Sequence, residues 1–428
     1  MDLKRLYPIL LIIFTNILGA GAIIPVLPLY AEGTFQGTLV QVTMLSSAFF
    51  AAQFLAAPVL GRLSDRFGRR PLLIFSQVGT VAAFILFIFA RDLGLWIDSL
   101  NLALPLTGGM AVLFSARILD GITGGNITIA QAYVSDLTTD EERARGLGLL
   151  QGAFGAGFVF GPAFGGILSN YGQVAPFVGA TIITSFTLLL TLFTLKESLT
   201  TEERNAPDDG ASGRRSIPWK QILRTPALLL ILAIGFLGSM AFSSLPSSYS
   251  LYADHVIFAN TPFPERVQLY IGLMLAFNGF FQVLTQLLLI RPLVRRFGER
   301  RLLLIGQLSL ATALFGLAAV TGPLMAVLLF APFSFGTGVS EPSMQSLATR
   351  FGARRTRGYL LGLYQSARSL ALIGGPIAAG FVFQNIGGRY VFAFAGLVML
   401  LAFVGGLLLL RMEIKPIEVN TNSIAHEA

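Results

Sequence analysis

The chain has 428 residues, 54% of them apolar and only 12% charged, with a mean hydropathy of +0.72. A water-soluble fold of this length has too little interior to hide that much hydrocarbon, so lipid must be the solvent for most of its surface. The net charge of +8 would suit a nucleic-acid binder, but the placement of the basic residues shows another cause, and the absence of cysteine excludes a disulfide framework, a zinc-thiolate site and a thiol nucleophile. A crossing helix needs about 20 mainly apolar residues. Runs of that kind predict spans at 6–30, 39–61, 71–90, 107–135, 146–170, 174–195, 225–251, 267–290, 302–320, 323–349, 358–386 and 389–410. The first follows Lys4 and Arg5 as a signal peptide would, yet it is too long for a signal h-region and lacks a small-residue cleavage site. The predicted class is all-α integral membrane.

Alternate links between these spans hold nearly all the basic residues. With the N-terminus inside, 25 of 30 Lys and Arg fall in cytoplasmic segments, three (Arg91, Arg266, Arg389) outside, and two (Arg117, Arg368) within spans. That asymmetry follows the positive-inside rule and predicts both termini on the cytoplasmic side of a cell membrane. The basic excess is therefore a topology signal, and no nucleic-acid partner is expected.

One long hydrophilic stretch, 196–224, carries six basic and five acidic residues with Gly, Ser and Pro, as an exposed linker would. It divides the chain into a bundle at 1–195, the linker at 196–224, a second bundle at 225–411 and a tail at 412–428. A shift of 214 residues aligns Thr123-Gly124 with Thr337-Gly338, Gln131 with Gln345, Gln151 with Gln365, Gly161-Pro162 with Gly375-Pro376, and Gly166 with Gly380. A shift of 230 aligns the basic links Gly61–Arg70 and Arg291–Arg300. The two shifts are reconciled if the link at 91–107 is longer than its counterpart near Thr321, and ordered internal repeats of this kind are a transporter's signature.

Gly61-Arg62-Leu63-Ser64-Asp65-Arg66-Phe67-Gly68-Arg69-Arg70 is a short, basic, glycine-bracketed turn between two spans. Asp65 can simply neutralise that turn, or it can act as a gate by accepting backbone N–H groups at the N-terminus of a facing helix. The echo keeps Phe297-Gly298 but has Arg295 where Asp65 would map, so any such lock is expected on one side only. Span 4 reads Arg117-Ile118-Leu119-Asp120-Gly121-Ile122-Thr123-Gly124-Gly125, with two charges near mid-membrane. A charge there costs at least ~2.5 kcal/mol, so it normally faces a partner or a wet cavity. Positions 117 and 120 share a helical face. Their pair either fixes packing or lets Arg117 tune a protonatable Asp120, since burial penalises the carboxylate and the guanidinium stabilises it.

Glu341 precedes the basic Arg350 by nine residues and Arg368 follows Arg357 by eleven. At ~1.5 Å per residue their depths are ~13 and ~16 Å, so a Glu341–Arg368 pair is expected, either as scaffold or as a proton and substrate site. Pro342 would bend that helix. Asn16, Gln53, Asn126, Gln151, Asn278, Gln282, Gln286 and Gln365 are candidates to face the interior, as helix glue or as ligand contacts, and Phe154, Phe280, Phe281 and Tyr364 to line an apolar cavity. His255 is expected in an outside loop and His426 in the tail. Gly157, Gly161 and Gly165, with Pro162 and Gly166, recur at a spacing that lets helices approach closely. An integral-membrane enzyme would need a nucleophile, metal cluster or dyad, and neither a His/Cys cluster nor H-E-x-x-H occurs.

The pattern G-x-L-x-D-R-x-G-R-R at 61–70 resembles the signature of the major facilitator superfamily in the link between its second and third helices. The resemblance covers nearly the whole chain and implies twelve transmembrane helices in two pseudo-symmetric six-helix bundles. It also implies that Gly61, Asp65, Arg66, Gly68 and Arg69 clasp the halves together on the cytoplasmic side, with Asp136 as the acidic partner of the arginines. Arg117 matches the R-x-x-x-G of span 4 associated with proton-coupled members, and Gly161-Pro162-Ala163-Phe164-Gly165-Gly166 resembles the G-P-x-x-G-G motif of drug/proton antiporters. Ile24-Pro25-Val26-Leu27-Pro28 and Asp120-Gly121-Ile122-Thr123-Gly124 are similar to segments of the tetracycline antiporters in particular. Those antiporters place an aspartate in span 1 where this chain has Asn16, so either coupling runs through Asp120 or Glu341, or the substrate and coupling differ. What the resemblance implies is a proton-coupled exporter of amphipathic small molecules that needs no cofactor beyond protons and works as a monomer in the bilayer. Uptake or facilitated transport of a metabolite, or lipid movement by the same fold, remains the alternative.

Overall fold

The computed structural model describes residues 3–101, 105–199, 219–351 and 356–413. Most of the expected linker (200–218) and tail (414–428), with His426, lies outside the described residues.

The first crossing is α1 (Leu3–Ile23) continued by α2 (Leu27–Phe35), with the break where Pro25 and Pro28 interrupt the backbone ladder. Thr38 starts α3 (Leu39–Phe67) with a capping box to Gln41. Gly68, at φ +105°, turns the chain into α4 (Arg69–Ile88); its repeat mate Gly298, at φ +72°, does the same inside α13 (Ile290–Ala318). Side chains rarely adopt that backbone region, which is why both basic links keep a glycine there. α5 (Ala90–Ser99) fills the predicted 91–107 link with a short helix. The link was long in sequence because it folds, and the apolar Leu95 and Trp96 remain exposed on it.

The fourth crossing is split into α6 (Gly108–Thr123) and α7 (Asn126–Asp136) at Gly124–Gly125. α8 (Asp140–Ser169) and α9 (Ala175–Thr194) complete the first half. In the second, α10 (Trp219–Leu223) precedes α11 (Pro226–Tyr252), which ends in a π-helical turn at Ala253–Ile257. α12 (Val267–Leu284) joins α13 through another π-helical turn, and α14 (Pro323–Thr349), α15 (Arg357–Asn385) and α16 (Gly388–Arg411) follow.

Among the described residues ten stretches are long and apolar enough to cross a membrane. One of them, Pro264–Ala318, has 55 residues. At ~1.5 Å per residue it is more than twice the ~30 Å of a hydrocarbon core, so it holds two crossings around Gly298. The broken α6–α7 pair supplies the last, and twelve result.

Packing shows the repeat more clearly than the sequence does. α1 packs on α8 and α9, α3 on α6, and α4 on α6 and α9; correspondingly α11 packs on α15 and α16, α12 on α14, and α13 on α14 and α16. The halves meet through α8 on α12 and α3 on α15. Small residues make these approaches possible: a Cβ on Gly165 would strike the Ala22 backbone, and one on Gly166 would meet Gly272.

Hydrogen bonds between the halves sit at the face opposite the termini. Val40 N–H donates to Gln384 Oε1 at 3.3 Å, and the Ser250 hydroxyl to the Ile24 carbonyl at 3.4 Å. The His255 imidazole lies 3.1 Å from both Glu32 oxygens. His255, expected in an outside loop, lies in the π-helical turn that extends α11 on that face and reaches across to α2.

Candidate functional site

Two ion pairs lie within the membrane crossings. In the first half, Arg117 Nη1 approaches Asp120 Oδ2 at 3.2 Å, one turn away on α6, while Thr80 on α4 donates to Asp120 Oδ1 at 3.2 Å. The Arg117 guanidinium stacks over the Phe49 ring at 4.2 Å and its Nε reaches the Leu45 carbonyl at 3.5 Å. Asp120 is buried and Arg117 nearly so, with side-chain exposures of 9% and 15%. Immediately beyond, Gln53 Nε2 donates to the Gly124 carbonyl at 3.0 Å and the Ser76 hydroxyl to the Thr123 carbonyl, so side chains from α3 and α4 take up carbonyls freed by the helix break.

In the second half Arg368 Nη1 on α15 meets Glu341 Oε1 on α14 at 2.8 Å, as the depth count predicts. Gln345 donates to the same oxygen at 2.9 Å and Tyr364 to Oε2 at 3.4 Å. Tyr364 can lie there because Gly235 on α11 leaves room for its ring. This pair is more open than the first, at 28% and 27% exposure, and it lines a cavity walled also by Phe242, Gln282, Gln307, Thr337 and Ser340.

At the face that carries the termini, Arg69 is the hub: it pairs with Asp65 at 2.5 Å, donates from Nε to Asp136 at 3.1 Å and from Nη1 to Ser64 at 2.6 Å. Glu197, which sequence reasoning missed, accepts the N–H groups of Arg69 (2.8 Å) and Arg70 (3.1 Å), capping α4. Among the described residues Asp65, 67% exposed, pairs with Arg69 of its own half and with no facing helix, while Glu197 caps α4. The expectation of a one-sided lock concerned Asp65 and its mate Arg295; the neighbouring Arg69–Asp136 contact does have a counterpart. Glu299, the repeat mate of Arg69, pairs with Arg350, the mate of Asp136, at 2.8 Å and accepts from Ser346 at 2.7 Å. The clamp exists in both halves with its charges exchanged. Arg66 projects over Phe67, and Gly61 has open space where a Cβ would stand.

The remaining polar candidates separate by environment. Gln282 and Tyr364 line the cavity. Asn16 and Asn126 bond each other at 2.5 Å, and Asn278 accepts from Ser334 at 2.7 Å, so these act between helices. Gln151 and Gln286 are exposed, Gln365 is partly buried outside the cavity lining, and Phe154 stacks with Phe158. Gly157, Gly161 and Gly165 seat α8 against α1, with Gly161 on Gly21 and Gly157 on Ile17, and Pro162 meets Gly272 of α12. The sequence reading also missed Thr80, Gln307 and Ser340; a shift of 230 does align Gln77 with Gln307, a repeat signal that marks a buried glutamine in each half.

A profile described as Major Facilitator Superfamily matches residues 9–263 and 266–426. The chain belongs to that superfamily. Among its relatives, "Tetracycline resistance protein, class C" of Escherichia coli is 32% identical over 361 residues, covering 84% of each chain. "Multidrug resistance protein 2" of Bacillus subtilis (strain 168) is 31% identical over 411 residues, covering 93% of each. Among solved structures, the nucleoside transporter NupG superposes with a TM-score of 0.69 at 15% identity, covering 96% of this chain and 100% of that one. A bacterial homologue of the human lysosomal transporter Spinster, inward-facing and occupied, gives 0.72 at 16% identity, covering 95% and 96%. These last two share the superfamily fold. The chain is therefore a multi-pass membrane transporter, and its superfamily's members carry small molecules.

Proposed function

We propose that this protein exports amphipathic small molecules in exchange for protons, with the two intramembrane pairs dividing the work. Asp120 carries the proton and Glu341 with Arg368 faces the substrate. The observation behind this division is burial: Asp120 is 9% exposed and held by Arg117 and Thr80, whereas Glu341 is 28% exposed on the wall of a cavity. Asp120 sits sealed from water beside the Arg117 guanidinium and the Thr80 hydroxyl, so a small rearrangement of either changes its proton affinity. Asn16, a neutral amide bonded to Asn126, has no proton to give in this role.

The positive-inside count assigns the terminal face to the cytoplasm of a bacterial-type cell membrane. On that assignment the far contacts around Val40, Ser250 and His255 close the outside, and the separated Asp65 marks an inward-open state. Closing the inside would bring Asp65 towards the second half, where alternating access needs a latch. The single chain, with bundles at 1–195 and 225–411, is the working unit.

Transport into inside-out vesicles under an imposed pH gradient, across cationic dyes, tetracyclines and sugars, tests this reading. Accumulation of an amphiphile that collapses with the gradient is expected. Gradient-independent equilibration, or uptake in the opposite direction, would replace export with facilitated or inward transport.

A further inference from the structure

Residues that line the cavity beside Glu341 carry buried polar atoms that the protein does not use. Arg368 Nε, Ser340 Oγ and Gln307 Oε1 are buried without a hydrogen-bond partner, and they come from three helices, α15, α14 and α13, around one cavity. Gln307 is only 2% exposed, so bulk water does not satisfy it. Leaving a buried polar atom unpaired costs about 1–3 kcal/mol, so such a cluster has a partner in some state of the cycle.

The chemistry of the vacancies defines that partner. Arg368 Nε is a charged donor, Gln307 Oε1 an acceptor, and Ser340 can serve as either. Both Glu341 oxygens, by contrast, are occupied by Arg368, Gln345 and Tyr364, and the Glu341–Arg368 pair contributes no net charge. Ile234, Phe242, Leu303, Leu310 and Met344 offer an apolar wall to the rest of a ligand. A Cβ on Gly238 of α11, which also lines the cavity, would meet nothing within 4 Å, so there is room beside it.

We infer that this cavity is a binding subsite for an uncharged or zwitterionic amphiphile whose carbonyl-type oxygen accepts a hydrogen bond from Arg368 Nε–H while a neighbouring hydroxyl donates to Gln307 Oε1, with Ser340 between them. A lipophilic cation has no complement here, because the one carboxylate in reach is already satisfied. Gln307 and Ser340 are then specificity-determining residues. The inference rests on the transporter reading above and adds to it the ligand class.

Equilibrium binding to the full-length protein in detergent tests it, with chloramphenicol as the uncharged donor–acceptor amphiphile, its diacetyl ester as the same body without hydroxyl donors, and tetraphenylphosphonium as the cation. Chloramphenicol should bind at least ~10-fold more tightly than either comparator. Gln307→Leu should weaken chloramphenicol ~10-fold without lowering the thermal unfolding midpoint, since it replaces an unpaired buried amide with an apolar group. Gly238→Ile, whose Cβ would meet nothing within 4 Å and whose remaining atoms extend towards the cavity, should abolish binding. The inference is overturned if chloramphenicol does not bind, if tetraphenylphosphonium binds as well, or if both variants bind like the unaltered protein. Gradient-driven transport that persists alongside such a result leaves the export reading standing and removes only the subsite; binding as expected with no gradient-driven movement does the reverse.

Discussion

Asp120 with Arg117 and Glu341 with Arg368 are chemically the same couple, a carboxylate and a guanidinium at 3.2 and 2.8 Å, yet the fold treats them differently. The first is made within one helix and covered by Thr80 and Phe49; the second spans two helices and opens on a cavity. A pair closed within one turn persists through rigid-body motion of the halves, whereas a pair between α14 and α15 responds to bending, and Pro342 sits beside Glu341. On the division of roles proposed above, burial of one and exposure of the other would keep protons and substrate at separate addresses. The clamps at the terminal face teach a related lesson: Arg69–Asp136 and Glu299–Arg350 occupy equivalent places with opposite charge, so the repeat retained the contact and not the residues.

The contrast between the pairs breaks most visibly at Asp120. Asp120→Asn should lower gradient-driven transport on the order of 100-fold while leaving substrate binding intact. A comparable loss of binding affinity would mean that Asp120 contacts substrate. Glu341→Gln should do the opposite, leaving Arg368 without its counter-charge and raising KM by roughly 30-fold, about 2 kcal/mol, with coupling retained at saturating substrate. A loss of coupling at unchanged KM would exchange the two assignments.

Asp65→Ala should reduce kcat by about tenfold with little change in KM or in thermal stability, because its side chain is 67% exposed and its role lies in closure. A change confined to KM would return Asp65 to a purely local partner of Arg69. The smallest effect belongs to the far face. The His255–Glu32 contact is an ion pair only when the imidazole is protonated, so its support for outside closure is present in acid and fades as pH rises through the histidine's titration. With 38% and 25% exposure it is screened, and a shift in conformer population of about threefold is expected. Because the chain has no cysteine, spin labels at Gly33→Cys and Ile386→Cys would read it. A distance distribution independent of pH, or unaltered by His255→Gln, would remove the latch.

Much of this was legible in the sequence, for identifiable reasons. Hydropathy fixes spans because lipid accepts only apolar, internally bonded helices. The Glu341–Arg368 contact followed from counting depth along two helices joined by a short link. Asp136 as partner of the basic turn came from resemblance, and Arg69 meets it at 3.1 Å. What stayed hidden depends on packing between elements distant in sequence. Thr80 reaches Asp120 across 40 residues and Glu197 caps α4 across 128. Neither spacing carries a periodic signal. The polar vacancy at Gln307 exists only relative to α14, α15 and the cavity between them. His255, expected in an outside loop, lies at that face in a π-helical turn that extends α11 beyond its apolar run, a distortion hydropathy does not register.

The separation of roles is tested most directly by comparing two modes of transport in proteoliposomes holding Asp120→Asn or Glu341→Gln. One mode is accumulation driven by a pH gradient; the other is exchange of labelled for unlabelled substrate without any gradient. The account predicts that Asp120→Asn loses accumulation and keeps exchange, while Glu341→Gln is impaired in both at low substrate and recovers both at high substrate. The reverse pattern, or loss of exchange in Asp120→Asn at saturating substrate, would contradict it.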